Sequence, residues 1–251
     1  MSILVSNDDG ISATGLQILS AELALLDEVW IVAPDRDQSG VSHSVTLQRP
    51  LRIDEIAPRT FAIDGTPTDC VNLAINGILP VRPRMVVSGI NHGANLGDDV
   101  TYSGTVSAAM EATLLGVPAI AVSQVFRAGA KPDFTFAAKF ARALVSSLLE
   151  HPLPADTLLN VNVPNRPAAE IQGYALTRQG KRRYGDAVVE KVDPRGRKYY
   201  WIAGDALDFV DAEGTDFDAV QTGRVSITPL HLDLTNYESF RALERLEIAW
   251  P

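Results

Sequence analysis

The chain is poor in the residues and segments that mark secreted, membrane-spanning and nucleic-acid-coating proteins. Its single cysteine, Cys70, excludes an internal disulfide and a cluster of thiolate metal ligands. The most apolar stretch, residues 114–122, is interrupted by Gly116 and Pro118 and is much shorter than the roughly 20 residues that a membrane-spanning helix needs. Basic residues number 22 against 31 acidic ones, and the formal net charge of -9 disfavours broad binding to nucleic acids or anionic membranes.

The beginning of the sequence, MSILVSNDDG, has no basic segment and meets acidic residues before any long apolar run, so no signal peptide is indicated. We therefore expect a cytoplasmic protein with no membrane partner and no stable nucleic-acid partner. A composition of 46% hydrophobic and 21% charged residues is ordinary for a globular protein. With 251 residues, the chain is long enough for one large domain or two small ones.

Apolar strand-like runs alternate with helical patterns through the first half of the chain. In the first helical pattern, leucines at positions 16, 19, 23 and 26 recur at the spacing of one helix face. Strands that are apolar on both faces and separated by helices are typical of a parallel sheet covered on both sides. The pattern predicts an α/β fold with a Rossmann-like three-layer core and a mostly parallel sheet. The predicted strands are residues 2–6, 29–33, 84–88, 119–122, 158–163 and 224–229, and the predicted helices are residues 14–27, 71–78, 103–115, 134–149 and 237–250.

Two segments break this alternation. Between residues 44 and 64, the apolar positions predict antiparallel strands inserted at an edge of the sheet. From about residue 172 to residue 223 the chain is richer in charge, glycine and tyrosine, and apolar runs around Val188 and Tyr199 indicate two strands. We therefore predict a projecting β-hairpin in this second segment.

Parallel α/β sheets bind ligands outside the carboxyl ends of their strands, which makes the loops after the predicted strands the candidate sites. After the first strand, residues 7–10 read NDDG and place Asp8 beside Asp9. Adjacent carboxylates at the end of a buried strand repel each other and lose hydration unless a cation neutralises them. A hard divalent ion such as Mg²⁺ or Mn²⁺ does so, whereas a solvated turn explains the same residues equally well.

Later loops carry polar groups suited to the same edge. Residues 33–40, APDRDQSG, offer the neutral oxygen of Ser39, although an ordinary loop has similar composition. Residues 88–99 contain asparagines, which ligate metals through the amide oxygen or donate to phosphate through the NH₂ group. Residues 102–107, YSGTVS, open a predicted helix and form either an anion site or a plain serine cap. A cation site and an anion site on neighbouring strand ends together indicate metal-assisted phosphate chemistry.

The motifs of these loops resemble those of the SurE family, the stationary-phase survival proteins that act as 5′/3′-nucleotidases. Five blocks occur in the order and spacing of the family, two tail segments are also similar, and the resemblance covers nearly the whole chain. The blocks are residues 6–10 (SNDDG), 33–40 (APDRDQSG), 65–70 (GTPTDC), 88–91 (SGIN) and 102–105 (YSGT), with tail segments 214–217 (GTDF) and 226–230 (SITPL).

The resemblance implies a metal-dependent phosphomonoesterase that hydrolyses nucleoside 5′-monophosphates by metal-activated water. Nucleoside 3′-monophosphates and short polyphosphate are further candidate substrates. The implied cofactor is one divalent cation per subunit, Mg²⁺ or Mn²⁺. The implied metal ligands are Asp8, Asp9, Ser39 and Asn91, of which Asp8 and Asp9 are also the catalytic residues. The implied phosphate-binding residues are Asn95, Ser103, Gly104 and Thr105.

The resemblance also implies an assembly. Family members form homodimers or homotetramers through a projecting hairpin and a C-terminal segment swapped between subunits. We therefore expect a single domain over residues 1–251. Within it, the core would comprise about residues 1–170 and 223–230, the hairpin and oligomerisation region about 171–222, and the C-terminal segment about 231–251.

Three alternatives to this function remain open: a different hydrolytic mechanism, a nucleotide-binding sensor and an interaction protein. A covalent aspartyl-phosphate, with Asp8 or Asp9 as nucleophile, is the rival to direct hydrolysis. A nucleotide-binding sensor would have lost some of its catalytic residues. Here, every proposed ligand position is filled by a residue that can do the chemistry, so nothing in the sequence favours a sensor. An interaction protein would use the basic run from Lys181 to Arg183, followed by Tyr184, to bind RNA or polyphosphate.

The histidines and the cysteine are predicted to have no metal-binding role. His43, His151 and His231 have no partner at metal-ligand spacing, and His92 is expected to be a loop residue with at most a substrate contact. Cys70 is expected to be a small buried hydrophobic residue.

Overall fold

The computed structural model describes residues 2–126, 129, 131–183, 188–202 and 209–246. The strands are β1 (Ser2–Ser6), β2 (Glu28–Pro34), β3 (Ile53–Ala57), β4 (Thr60–Ile63), β5 (Met85–His92), β6 (Ala119–Val125), β7 (Thr157–Pro164), β8 (Tyr174–Leu176), β9 (Val188–Val192), β10 (Lys198–Ile202) and β11 (Val225–His231). The α-helices are α1 (Thr14–Leu23), α2 (Pro67–Leu73), α3 (Gly104–Leu114), α4 (Thr135–Glu150), α5 (Asp216–Gln221) and α6 (Phe240–Leu243). A π-helical turn spans Ala74–Ile78, and 3₁₀ turns span Gly97–Thr101, Ala168–Glu170 and Tyr237–Ser239.

Nine of these strands form one sheet in the order β3-β4-β2-β1-β5-β6-β7-β11-β8. The pairings from β4 through β7 are all parallel, and β1 lies between β2 and β5. Antiparallel pairing occurs only towards the two edges of this sheet, between β3 and β4 and between β7 and β11. The prediction of a mostly parallel α/β sheet is confirmed.

Helices cover both faces of this sheet. Successive residues of β1 point to opposite sides, so that Val5 lies in the same buried cluster as Leu16 of α1, while Leu4 lies in the cluster that contains Val106 of α3. The first layer is completed by α4, and the second by α2 with its buried Cys70. The central strands are therefore covered on both sides, which explains why they read as continuous apolar runs. The prediction that Cys70 is a buried hydrophobic residue is confirmed.

Several predicted boundaries were wrong. The first helix ends at Leu23 rather than at residue 27, because Leu25 and Leu26 extend the leucine pattern without packing against the core. The antiparallel edge pair is present as β3 and β4, but β3 begins only at Ile53, so that the apolar residues Val45, Leu47 and Leu51 precede it. At the C-terminal end, a 3₁₀ turn and the short α6 replace the helix predicted over residues 237–250, the last four of which lie outside the described residues.

The predicted hairpin is present as β9 and β10, which form a separate two-stranded antiparallel sheet. Every residue of both strands is exposed. Within the segment predicted as the hairpin region, β8 and α5 instead join the main body of the fold, since β8 pairs with β11 and α5 packs on it. The division of the domain into core, hairpin and C-terminal segment stays a prediction.

None of the helices in the described part of the chain is both long enough and apolar enough to cross a membrane.

The packing of α1 on β5 can be tested at Gly15. A Cβ added there would overlap the carbonyl oxygen of Ile90. We expect Gly15→Ala to lower the free energy of unfolding by about 1–3 kcal/mol, the usual cost of overpacking, although alanine is the better helix former. Gly77→Ala is the matched control, because a Cβ at Gly77 meets nothing within 4 Å. Urea unfolding followed by circular dichroism measures both, and equal stability of the two variants would contradict this close packing.

Candidate active site

The predicted site residues lie at the carboxyl edge of the parallel strands. Asp8 and Asp9 follow β1, Ser39 lies in the loop after β2, and Asn91 lies near the end of β5. Because β1 pairs in parallel with both β2 and β5, these three strand ends meet at one edge of the sheet. The N-terminus of α3 lies beside them, as its contacts with Asp8 show.

Asp8 lies at the junction between β1 and α3. The residue is only 4% exposed, and its Oδ1 atom accepts a hydrogen bond from the hydroxyl of Thr105. Its carboxylate also accepts one from the backbone N–H of Thr105. The preceding residue, Gly104, allows this approach, because a Cβ added there would lie 2.8 Å from the Cβ of Asp8. Any side chain at position 104 would therefore push the helix away from the carboxylate.

Burial makes the carboxylate pair, Asp8 and Asp9, costly to ionise. It raises the pKa of Asp8 to about 6, against the hydrogen bonds from Thr105, and the charge of Asp9 adds to the rise. Burial also raises the pKa of Asp9, where the N–H of His92 lowers it and the charge of Asp37 raises it. In the described part of the chain, no lysine or arginine lies within ion-pair distance of either carboxylate. The pair is therefore a site where bound positive charge is strongly favoured.

The loop that carries Ser39 lies against this pair. The N–H of Gln38 donates to the carbonyl oxygen of Asp8 at 2.8 Å. The Ser39 hydroxyl donates to Oδ1 of Asp37 at 2.6 Å. Because the hydroxyl hydrogen is used in that bond, the oxygen retains a lone pair that a cation could use.

A buried polar group that the sequence analysis missed connects the same loop to α3. The Nε2 atom of His43 lies 3.0 Å from Oε2 of Glu111, and Asn72 donates to Oε1 of Glu111 at 2.7 Å. These bonds hold the pKa of Glu111 below its usual value, with the hydrogen bond from His43 as the largest cause. The detectable signal was a glutamate on the buried face of a helix, which requires a partner.

The end of β5 reaches the pair from the other side. The N–H of His92 donates to Oδ2 of Asp9 at 3.0 Å. The Nδ2 atom of Asn91 donates to the carbonyl oxygen of Gly93 at 3.1 Å, so Oδ1, the atom that would ligate a metal, is not used in this bond.

Asn95 is buried in a polar network rather than placed on an open loop. Its side chain is 6% exposed, and its Nδ2 atom donates to the hydroxyl of Ser123 at 2.8 Å. Its backbone carbonyl accepts hydrogen bonds from Asn160 at 2.8 Å and from Asn162 at 3.0 Å. The sequence analysis missed these two β7 residues, although paired asparagines in an otherwise apolar strand were a visible signal. The predicted phosphate contact of Asn95 stays a prediction.

The N-terminus of α3 supplies donors of a different kind. The hydroxyl of Ser103 caps the helix by accepting the N–H of Val106 at 3.0 Å. The N–H of Gly104 belongs to the first turn, whose donors have no acceptor within the helix. Donors at a helix N-terminus attract anions, so this turn is suited to a phosphate oxygen beside the carboxylate pair.

Cavity shape does not identify this site. A cavity of about 500 Å³ lies beside the start of α4 and the end of β7, where Lys131, Lys139 and Arg166 line it, but none of the predicted site residues does. The described residues also contain no group of three or more His, Cys, Asp and Glu side chains that could hold a metal ion. The predicted metal site therefore depends on two carboxylates complemented by neutral oxygens, a donor set that suits a hard cation retaining several waters.

The cost of ionising Asp8 predicts a stability difference between pH values. Since its folded pKa of about 6 exceeds the ordinary value of 3.8, the unfolded chain loses its proton first as the pH rises. The free energy of unfolding therefore decreases as the pH rises from about 3.8 to about 6, and the full loss is present above about pH 6. Asp8→Asn removes this loss and keeps the Oδ1 acceptor for Thr105. Without metal, we expect it to be more stable than the wild type by about 2–3 kcal/mol at pH 7.5 and by much less at pH 4.

Urea unfolding in EDTA at the two pH values measures this difference. Asp211→Asn is the control, because Asp211 is exposed. A stability difference for Asp8→Asn that does not change with pH would show that Asp8 ionises without cost in the fold.

Comparison with known proteins identifies the family of this chain. The family described as Survival protein SurE matches residues 3–186. Two relatives named 5′-nucleotidase SurE are each 56% identical: that of Geotalea daltonii over 99% of this chain and 100% of its own length, and that of Geobacter sulfurreducens over 99% and 95%. The crystal structure of SurE protein from Aquifex aeolicus superimposes with a TM-score of 0.88, at 46% identity, over 99% of this chain and 100% of that one. The chain belongs to the SurE family.

Proposed function

We propose that this protein is a 5′-nucleotidase that hydrolyses nucleoside 5′-monophosphates to nucleoside and phosphate. The observation that carries the proposal is the pair formed by the buried Asp8 and the partly buried Asp9 next to the N-terminal turn of α3. This arrangement places cation-binding and anion-binding groups side by side, as hydrolysis of a phosphate ester requires. Relatives that match nearly the whole chain bear the name 5′-nucleotidase SurE.

The donor set fits one divalent cation, Mg²⁺ or Mn²⁺. Asp8 and Asp9 would supply the negative charge, and Ser39 and Asn91 would supply neutral oxygens. When bound, such a cation polarises the phosphate and makes a nucleophile available at neutral pH.

The residues of the chain hold the phosphate and orient the carboxylates. Thr105 fixes Asp8 through two hydrogen bonds, and the N–H of His92 fixes Asp9. The N–H groups at the start of α3 would neutralise charge on the non-bridging phosphate oxygens, and Ser103 and Thr105 flank them. Asn95 would complete the phosphate pocket through the second hydrogen of its NH₂ group.

We propose direct attack by water rather than a covalent aspartyl-phosphate. In this structure Oδ1 of Asp8 accepts from Thr105, and Oδ2 of Asp9 accepts from His92. These bonds hold both carboxylates in place as ligands for a cation.

Metal-dependent phosphate release tests the proposal. Wild type, Asp8→Asn and Asp9→Asn are incubated with nucleoside 5′-monophosphates in Mn²⁺, in Mg²⁺ or in EDTA, and released phosphate is measured. We expect release only with metal and a loss of at least about 100-fold in both variants, because each removes charge from the cation site. A thermal-shift titration with Mn²⁺ is a second readout, in which the wild type is stabilised more than either variant.

Asp211→Asn is again the control and should retain full activity. Release that persists in EDTA or in both carboxylate variants would contradict the metal site. Binding of Mn²⁺ without release from any nucleotide would favour a sensor. Acid-quenching the reaction with phosphate-labelled substrate distinguishes the two mechanisms, since labelled protein would reveal an aspartyl-phosphate and water attack leaves the protein unlabelled.

Nucleoside 3′-monophosphates and short polyphosphate are proposed as further substrates of the same site. A nucleic-acid partner is not proposed, because basic residues expected to bind one are paired with acids. Lys181 lies 2.9 Å from Asp98, and Arg182 lies 2.5 Å from Asp99. Tyr184, the aromatic residue of that hypothesis, lies outside the described residues.

A homodimer or homotetramer in the cytoplasm is the proposed state of the protein. The hairpin of β9 and β10 supports an assembly, because Tyr199 and Trp201 are exposed on one face and Tyr200 and Ile202 on the other. Apolar side chains on both faces of an isolated hairpin are typical of a segment that packs against another subunit. We propose that the C-terminal segment also exchanges between subunits.

Trp201→Asp tests the role of the hairpin in assembly. Because Trp201 is 60% exposed in the isolated chain, the substitution should not affect folding of the subunit. We expect multi-angle light scattering to show a smaller assembly than that of the wild type, approaching the 27.1 kDa of one chain. Leu25→Asp is the matched control, since Leu25 is similarly exposed at the end of α1. An unchanged mass for Trp201→Asp would contradict the proposed interface.

A further inference from the structure

We propose that His92 and Phe126 form an aromatic platform on which the nucleobase of the substrate stacks. The inference rests on the proposed nucleotidase function and adds the site that binds the base. It assigns a specificity-determining role to the side chain of His92, whose backbone N–H already contacts Asp9.

The two rings stack on each other. Their centroids are 4.3 Å apart and their planes differ by 20°. His92 is exposed, whereas Phe126 is partly buried, so the imidazole forms the outer layer. A stack with an exposed outer ring offers a flat face to a planar aromatic ligand.

The platform is held rigidly from behind. Phe134 at the start of α4 is only 4% exposed and meets Phe126 edge-on, with centroids 5.8 Å apart and planes at 83°. It also meets His92 at 6.3 Å and 63°. A ring whose position is already fixed loses little conformational entropy when a ligand stacks on it.

The platform is also placed correctly relative to the carboxylate pair. The backbone N–H of His92 donates to Asp9 at 3.0 Å, so the imidazole ring belongs to a residue that directly contacts the carboxylate pair. β5 and β6 pair here with His92 opposite Gln124, which places Phe126 at the same edge of the sheet. In a nucleoside 5′-monophosphate only the ribose separates the base from the phosphate. A phosphate bound at α3 therefore leaves the base within reach of this edge.

The chemistry of the platform defines the ligand class. Stacking on a ring accepts every nucleobase, because each has a π-face, and it favours the larger purines. The platform would therefore bind nucleotides with broad base tolerance and a preference for purines. A phosphate ester without a base would gain nothing from it.

Comparison of a substrate that has a base with one that lacks it tests the platform. For wild type, His92→Ala and His92→Phe, kcat/KM is measured with AMP and with ribose 5-phosphate. The ratio of the two values is the readout, since it does not depend on the fraction of enzyme that is folded. We expect the ratio to fall about tenfold in His92→Ala and to stay near the wild-type value in His92→Phe, which keeps the ring. His151→Ala is the control, because His151 is an exposed histidine at the end of α4.

Each outcome decides the inference. A ratio that does not change in His92→Ala, while both substrates are hydrolysed, overturns the platform and leaves the nucleotidase function intact. Equal losses of the ratio in His92→Ala and His92→Phe overturn stacking and point to hydrogen bonding by the imidazole instead. Failure of the wild type to hydrolyse either substrate overturns the proposed function and, with it, the platform. Phe126→Leu, which removes the supporting ring, should lower the ratio in the same direction.

Discussion

The burial of Asp8 beside Asp9 at the end of β1 constrains the whole carboxyl edge of the sheet. Two adjacent carboxylates removed from water need compensating donors or positive charge, and the structure provides donors from separate segments. Thr105 donates from α3, and the N–H of His92 donates from the end of β5. The helix and the loops are therefore drawn to one point, and the same contacts that reduce the cost of burial assemble the site.

This arrangement sets stability against function. Burial raises the pKa of both carboxylates, so the metal-free protein is less stable at neutral pH than it would be with uncharged side chains. The same unfavourable charge would favour the binding of a cation at the proposed metal site. Gly104 shows the same conflict in packing, because a helix former at this position would stabilise α3 in isolation but would separate it from Asp8.

Local patterns predicted the elements better than their ends. The strands at the centre of the sheet are buried on both faces, so their apolar runs are unambiguous, as in Leu4 and Val5. The first helix was overextended because Leu26 continues a helical spacing that no longer faces the core. The polar partners were missed for another reason. His43 and Glu111 are separated by 68 positions, and nothing local in either segment indicates the other.

The sequence by itself determined the α/β class, the loops that carry the chemistry and the resemblance to the SurE family, because these depend on residue types at short spacing. It identified Asp8, Asp9 and the start of α3 as candidates for this reason. Only the tertiary structure decided which donors satisfy Asp8, that Asn95 bonds inward to Ser123, and that His92 stacks on Phe126. These contacts join segments that are far apart along the chain, and they exist because strand pairing and helix packing bring distant loops to one edge of the sheet.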